Sequence, residues 1–229
     1  MKSRLIAVAA LAILMIPALS AAASSRPGPY VSGFIGVSIP SETDVTSYDF
    51  ADNETFNDQV EFDPGLAIGG TGGYDFGFIR LEGELSYKYA EMSDIINKDF
   101  GIRYRSVDGE IGALSMMFNA FFDLQNDSPI TPYLGGGIGF ATLYINDTYG
   151  TDTTGGSAER LLLYPSDDTT VFAYQAGAGL EVAIHRNFSL DIGYRYFATA
   201  EGTFDSDVDT NVDLKFESHN ATVGFRVKF

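Results

Sequence analysis

An all-β fold, an eight-stranded antiparallel transmembrane up-and-down β-barrel behind a cleavable signal peptide, follows from three features of this 229-residue chain. The N-terminus carries an export signal, eight later segments alternate apolar with polar residues, and the connections between those segments alternate long with short. Lys2 and Arg4 form a charged n-region, Leu5 to Leu19 an apolar run, and Ala21-Ala22-Ala23 a small-residue cleavage site. Cleavage after Ala23 makes 1–23 the signal peptide and leaves 24–229 as a single barrel domain. The apolar run is 15 residues, short for a membrane-spanning helix, and nothing after it is long and apolar enough to span. If the mature chain enters a membrane it does so as a closed sheet, because only helices and closed barrels satisfy every backbone group in hydrocarbon.

Composition narrows the partners. Removing Lys2 and Arg4 with the leader takes the formal charge from −17 to −19, which argues against nucleic acid and anionic headgroups as direct partners. The absence of cysteine excludes a disulfide scaffold, thiolate metal sites and a lipoprotein anchor.

The strands follow in order. In Tyr30 to Ile39, Val31, Ile35, Val37 and Ile39 share a face with Gly33. Gly65 to Tyr74 places Leu66, Ile68 and Tyr74 together. Phe78 to Tyr89 is the cleanest: Ile79, Leu81, Gly83, Leu85, Tyr87 and Tyr89 oppose Arg80, Glu82, Glu84, Ser86 and Lys88. Ile111 to Phe122 sets Leu114, Met116, Phe118 and Phe122 against Ser115 and Asn119. Pro132 to Ile145 sets Leu134, Ile138 and Phe140 against Gly135, Gly137 and Gly139. Val171 to Ile184 sets Phe172, Tyr174, Ala176, Ala178, Leu180 and Val182 against Gln175, Gly177, Gly179 and Glu181. Phe188 to Tyr196 sets Phe188, Leu190, Ile192, Tyr194 and Tyr196 against Ser189, Asp191, Gly193 and Arg195. The last strand, from about Lys215, ends with Val223, Phe225, Val227 and Phe229 on one face and Gly224, Arg226 and Lys228 on the other.

Long polar segments, Pro40 to Asp63, Met92 to Val107, Asn146 to Asp168 and Glu201 to Asp213, follow the odd strands. Short ones, Asp75 to Gly77, Gln125 to Thr131 and His185 to Asn187, follow the even strands. That is the outer-membrane plan, with both termini on the periplasmic, short-turn side. A soluble β-barrel shows the same alternation inside out. The polar face favours the membrane barrel: it is mainly Gly, Ser, Asn and Gln with a few charges, which suit the inside of a narrow cylinder. Tyr89, Tyr133, Phe172, Tyr196 and Phe229, near strand ends, suit the interfacial girdles.

Several segments carry a family resemblance. Gly77 to Tyr87 reads G-x-x-R-x-E-x-E-x-S-Y. Ser115 to Leu124, followed by Thr131 to Gly139, forms a central hairpin, and Phe172 to Gly179 and Leu190 to Tyr196 follow in order. Together they resemble the opacity-type and rickettsial major surface antigen family of outer-membrane barrels, over essentially the whole mature chain apart from the long loops. The resemblance implies an eight-stranded barrel like the membrane domain of OmpA, in a family of surface antigens, often adhesins, with no fixed ligand.

Three constellations invite a functional reading. Arg80, Lys88, Arg195, Arg226 and Lys228 face inward with Glu82, Glu84, Glu181 and Asp191. They form either a salt-bridge plug or a path for ions or protons, and near-balanced signs in a narrow lumen favour pairing. The first long loop holds Glu42, Asp44, Asp49, Asp52, Glu54, Asp58, Glu61 and Asp63 without one Lys or Arg. It reads as a solvated, mobile, repulsive surface or as a contact surface for a basic partner or divalent cations. Asp205, Asp207, Asp209, Asn211 and Asp213 offer hard oxygens at alternate positions, yet lack the glycine and terminal Glu of an EF-hand loop; a hairpin would align them without metal.

Catalysis has little to draw on. Only His185, in a short turn, and His219, on the outward face, are present. His219-Asn220-Ala221 departs from the His-x-Ser arrangement of lipid A deacylases of this barrel size. Glycine-rich Leu134 to Gly139 lacks the Lys-Ser/Thr of a phosphate loop. No catalytic, cofactor-binding or metal-ligating residue is assigned, and no cofactor is expected.

The expected function is that of a non-catalytic outer-membrane surface protein with acidic extracellular loops, acting as antigen or adhesin or in envelope structure. A narrow transporter for small or hydrophobic solutes is the alternative, and a lipid A-modifying enzyme ranks third. The expected partners are outer-membrane lipid and lipopolysaccharide, the barrel-assembly machinery reading the strand that ends at Phe229, and an extracellular protein. Nucleic acid is not expected, and the chain is expected to be a monomer.

Overall fold

The computed structural model describes residues 27–49, 54–99, 102–105, 107–152, 159–164, 166–207 and 210–229. The expected signal peptide, 1–23, lies outside the described residues. In chain order these form β1 (Gly28–Pro40), β2 (Thr43–Asp49), β3 (Glu54–Phe62), β4 (Gly65–Asp75), β5 (Ile79–Asn97), β6 (Ile102–Arg105), β7 (Glu110–Asp123), β8 (Ile130–Ile145), β9 (Thr148–Asp152), β10 (Glu159–Tyr164), β11 (Asp167–His185), β12 (Phe188–Thr199), β13 (Gly202–Asp207), β14 (Thr210–Leu214) and β15 (Glu217–Lys228).

Eight of them close a ring. β1 pairs with β4, β4 with β5, β5 with β7, β7 with β8, β8 with β11, β11 with β12, β12 with β15, and β15 returns to β1, every pair antiparallel. Closure removes the open sheet edge that hydrocarbon would not tolerate. These eight are the strands that alternation predicts, several of them longer, with β5 running on to Asn97.

The faces also follow the alternation. Val31, Ile35, Leu85, Met116, Phe140 and Phe225 are exposed on the outside, while Arg80, Glu82, Glu84, Ser115 and Asn119 are buried inside. Large apolar groups on the outside are the signature of a wall solvated by lipid. Two side chains depart from expectation. Tyr133, assigned to a girdle, has the inward parity of Gly135 and Gly137 and is buried with its hydroxyl on Asp191. Val182, expected outside, is buried beside the irregularity where β11 shifts register against β12.

The short turns are tight for a local reason. Between β4 and β5, Phe76 N–H donates to Ile79 O at 2.9 Å, and Gly77 N–H donates to the Asp75 carboxylate at 2.7 Å. Gly77 has φ of 102°, a left-handed conformation that glycine adopts without steric cost.

The described parts of the long connections are largely strand. β2 and β3 form a hairpin, β14 pairs with β2, β13 with β14, β3 with the upper part of β5, and β6 with β5, so a twisted sheet stands on the barrel rim. β9 and β10 form a second hairpin, joined to the rim by the Asp108–Tyr149 bridge. Val45, Val60, Phe204 and Leu214 of this crown are buried, whereas Asp44 is exposed.

Candidate functional site

The inside of the barrel is built in two tiers. At the short-turn end and the middle lie the charges. Arg195 on β12 ion-pairs with Glu84 on β5 and lies 3.9 Å from Glu82. Arg226 on β15 pairs with Glu181 and, at 2.9 Å, with Asp191. Lys228 reaches Asp75 at 2.8 Å and Glu181 at 3.2 Å, and Arg80 meets Asp123 at 2.8 Å. Neutral groups complete the net. Tyr30 donates to Glu82 at 2.6 Å, Tyr133 to Asp191 at 2.7 Å and Ser189 to Glu181 at 2.8 Å. Gln175 and Asn119 each donate to Glu84 at 3.0 Å. A buried charge keeps its place only when paired and hydrogen-bonded, and this web supplies the partners.

Strand parity explains who belongs to it. Arg80, Glu82, Glu84, Ser86 and Lys88 recur at every second residue of β5, and Asp191 and Arg195 do so on β12. Small residues opposite make the room: a Cβ on Gly179 would lie 2.4 Å from the Tyr133 ring, so β11 must be bare where Tyr133 crosses. Arg80 is 1% exposed and holds Asp123 through Nε, while its two terminal nitrogens have no hydrogen-bond acceptor. Its guanidinium instead lies over the Tyr133 and Phe121 rings, at 4.6 and 5.5 Å, a favourable contact for a cation away from water.

Lys88 marks the boundary between tiers. Its ammonium donates to Ser86 at 3.0 Å and Ser115 at 3.2 Å and lies 4.0 Å from the centre of the Phe197 ring. Ser86 in turn donates to Glu84 at 2.9 Å, so Lys88 joins the network through a hydroxyl. Beyond it apolar side chains dominate, with Ser38, Thr199 and Ser218 also buried. Ala90, Ile111, Ala113, Ala141, Leu143, Ala173 and Phe197 from the wall pack with Val45, Val60, Ile95, Phe204, Leu214 and Phe216 from the crown and the upper end of β5. The crown therefore caps the mouth from above. At the opposite end, a 510 Å³ depression lined by Phe76, Phe78, Asn126, Thr131 and Glu181 opens at the short turns.

All nine charged residues expected to face inward do so, and the structure brings them into one network. Asp75 and Asp123, together with Tyr30 and Tyr133, complete it. Their signal was available: each keeps the inward parity of its strand. The apolar tier is harder to read, because Val45, Val60, Ile95 and Phe204 come from the long connections. The acidic series at Asp205 to Asp213 falls on the β13–β14 hairpin, where Asp205 stands opposite Asn211 and Thr203 donates to Asp213 at 2.7 Å. Asp209 lies outside the described residues, and among those described no three His, Asp or Glu are grouped to hold a metal. His219 sits on the outer wall, its Nδ1 2.7 Å from the Tyr194 hydroxyl and its ring between those of Tyr194 and Tyr196, at 6.0 and 5.4 Å.

A family model, the outer membrane protein beta-barrel domain, matches residues 7–229. The chain belongs to this family. It is therefore a protein of the outer membrane, as the closed ring and its apolar outer wall require. Outer membrane protein PagN of Salmonella typhimurium is 26% identical over 243 residues, which cover 95% of this chain and 96% of PagN. An uncharacterized protein of Brucella abortus is 28% identical over 199 residues, 76% of this chain and 69% of its own. Among solved structures, OprG of Pseudomonas aeruginosa superposes with a TM-score of 0.59 at 14% identity, covering 91% of this chain and 99% of OprG. Neisserial surface protein A gives 0.51 at 18% identity, covering 88% and 97%. At these identities the two structures speak to the fold alone.

Proposed function

We propose that this barrel is a non-conducting, non-catalytic display scaffold whose extracellular crown makes the functional contacts, as a surface antigen or adhesin of the opacity type. One observation carries the reading: lumenal side chains are buried from the Asp75–Lys228 pair at one end to Phe216 and Leu214 under the crown at the other. A transported solute would have to displace a paired charge network and then an apolar core, each with its own free-energy cost. The crown is ordered by strand pairing and by Lys98, which bonds Asp44 at 2.5 Å. Acidic groups that remain at its surface, such as Asp168, suit a basic extracellular protein as partner and disfavour nucleic acid.

A non-enzymatic role is supported by the placement of the histidines, His219 against Tyr194 on the outer wall and His185 at a short turn. The outer wall contacts membrane lipid and lipopolysaccharide, the strand ending at Phe229 engages the barrel-assembly machinery, and the closed ring works as a monomer after loss of residues 1–23. The test is attachment. Cells expressing the chain settle on matrix-protein-coated wells more than vector controls do. They lose that gain when 43–62 is replaced by a two-residue turn, while heat-modifiable electrophoretic mobility shows the barrel still inserted. Equal attachment with and without the hairpin contradicts the proposal.

A further inference from the structure

We infer that the upper edge of β11 is a docking strand for an extended, lysine- or arginine-rich segment of another protein. The inference rests on the crown being the contact surface. The ladder between β11 and β12 ends at Ala173 opposite Thr199, with one last bond from Ala200 N–H to Phe172 O at 2.7 Å. Above it the chain leaves the wall. A Cβ on Gly202 would lie 2.7 Å from Thr169 Cγ2 and 3.0 Å from Val171 Cγ1, which are side chains of inward parity. β13 thus starts across the inner face of β11 and pairs with β14 instead.

The segment Asp167–Val171 keeps its ladder to β8, from Asp167 opposite Ile145 to Val171 opposite Ala141. Among the described residues no strand pairs with its other side. In an antiparallel strand both backbone groups of a residue face the same way, and alternate residues share a side. Phe172 bonds toward β12, so Thr170 and Asp168 direct their N–H and C=O groups the same way, past the point where β12 stops. This edge lies outward of the Phe172 ring, and Asp168 and Thr170 are exposed, so it faces water rather than hydrocarbon.

Charge selects the occupant. Asp168 and Glu201, both exposed, lie next to the edge along the chain, and no Lys or Arg lies between Asp167 and His185 or between Phe197 and Leu214. A second copy of this chain, pairing edge to edge, would set aspartates against aspartates, which destabilises such a pair. An extended basic segment gains backbone bonds from the edge and complementary charge from its flanks, which is strand addition.

The test uses the full mature chain folded in detergent and a fluorescein-labelled octapeptide of alternating Lys and Val, with a Glu-for-Lys counterpart of alternating Glu and Val as control, read by anisotropy. Saturable binding of the Lys peptide and none of the Glu peptide is expected. Thr170→Pro removes one N–H that faces the free side and leaves the β8 ladder donors in place. It should weaken binding about tenfold, as should Asp168→Lys, with heat-modifiable mobility unchanged. Infrared spectra of the ¹³C-labelled bound peptide should show strand, a readout that needs no variant. No saturable binding means that the acids only guard the edge against pairing, and the inference falls. It falls equally if Thr170→Pro binds with native affinity or the bound peptide is not a strand. Cells that still attach through the crown while the peptide does not bind overturn this inference and leave the display reading standing. Failure of both overturns both.

Discussion

Arg195 and Glu84 come from strands diametrically opposite in the ring, β12 and β5, and meet as an ion pair across the lumen. Each half of the ring between them contributes three strands, so this contact braces the cylinder through its centre. The Gln175 amide donates to the same carboxylate, and the guanidinium lies 5.0 Å over the Phe34 ring.

Removing one partner is therefore worse than removing both. Arg195→Met or Glu84→Gln alone should cost about 3–5 kcal/mol, because each strands a buried charge, and the double variant should cost less than either. Urea titrations of the folded protein in detergent measure the cycle. Additive losses would show that the two residues do not act as a pair.

Lys88 should behave in the opposite way. Its neighbours are two hydroxyls and a ring rather than a carboxylate, so Lys88→Met removes a buried cation without orphaning an acid. Replacement by an apolar group of similar volume is expected to be neutral or to stabilise by roughly 1–4 kcal/mol. The same titration checks it; a loss comparable to that of Arg195→Met would mean that Glu84 depends on Lys88 directly.

The outer wall predicts a depth rule. Leu85 and Val223 are 54% and 46% exposed on the lipid side, and Leu85→Arg or Val223→Arg should each cost about 2–4 kcal/mol near the bilayer midplane. Thr55→Arg, on the exposed face of the crown, should cost little. Refolding yields into lipid vesicles compare them, and equal tolerance would contradict the assignment of faces.

Phe229 should matter more for assembly than for the finished barrel. It is 73% exposed, its N–H donating to Pro29 O at 3.0 Å, and an aromatic ring at the strand end suits the periplasmic interface. Deleting it should lower the amount inserted in cells while protein refolded in detergent stays heat-modifiable. Matching losses by both routes would mean that the ring only packs.

Alternation made the wall legible. A period of two needs no knowledge of partners, so Leu85 and Glu84 sort to opposite faces from their own strand alone, and ring closure follows from the alternating connections. The lumenal charges were legible for the same reason, although which acid meets which base depends on barrel diameter and register. The crown was not legible as structure. Its strands mix apolar and acidic residues at the same parity, as Val60 and Phe62 with Glu54 and Asp58 on β3, and the burial of Val45 and Val60 depends on Phe204 and Phe216 arriving from the far end of the chain. Tyr133 misled because an aromatic near a strand end resembles a girdle residue, whereas its parity with Gly135 turns it inward.

Single-channel recording of the folded protein in planar lipid bilayers tests the sealed lumen most directly. The paired charges below and the apolar tier above predict no steady conductance over background. In a variant that opens both tiers, Arg195→Ala with Phe197→Ala, conductance should appear. A stable, voltage-independent conductance from the native protein would contradict the sealed barrel and return the lumenal charges to the role of a solute pathway.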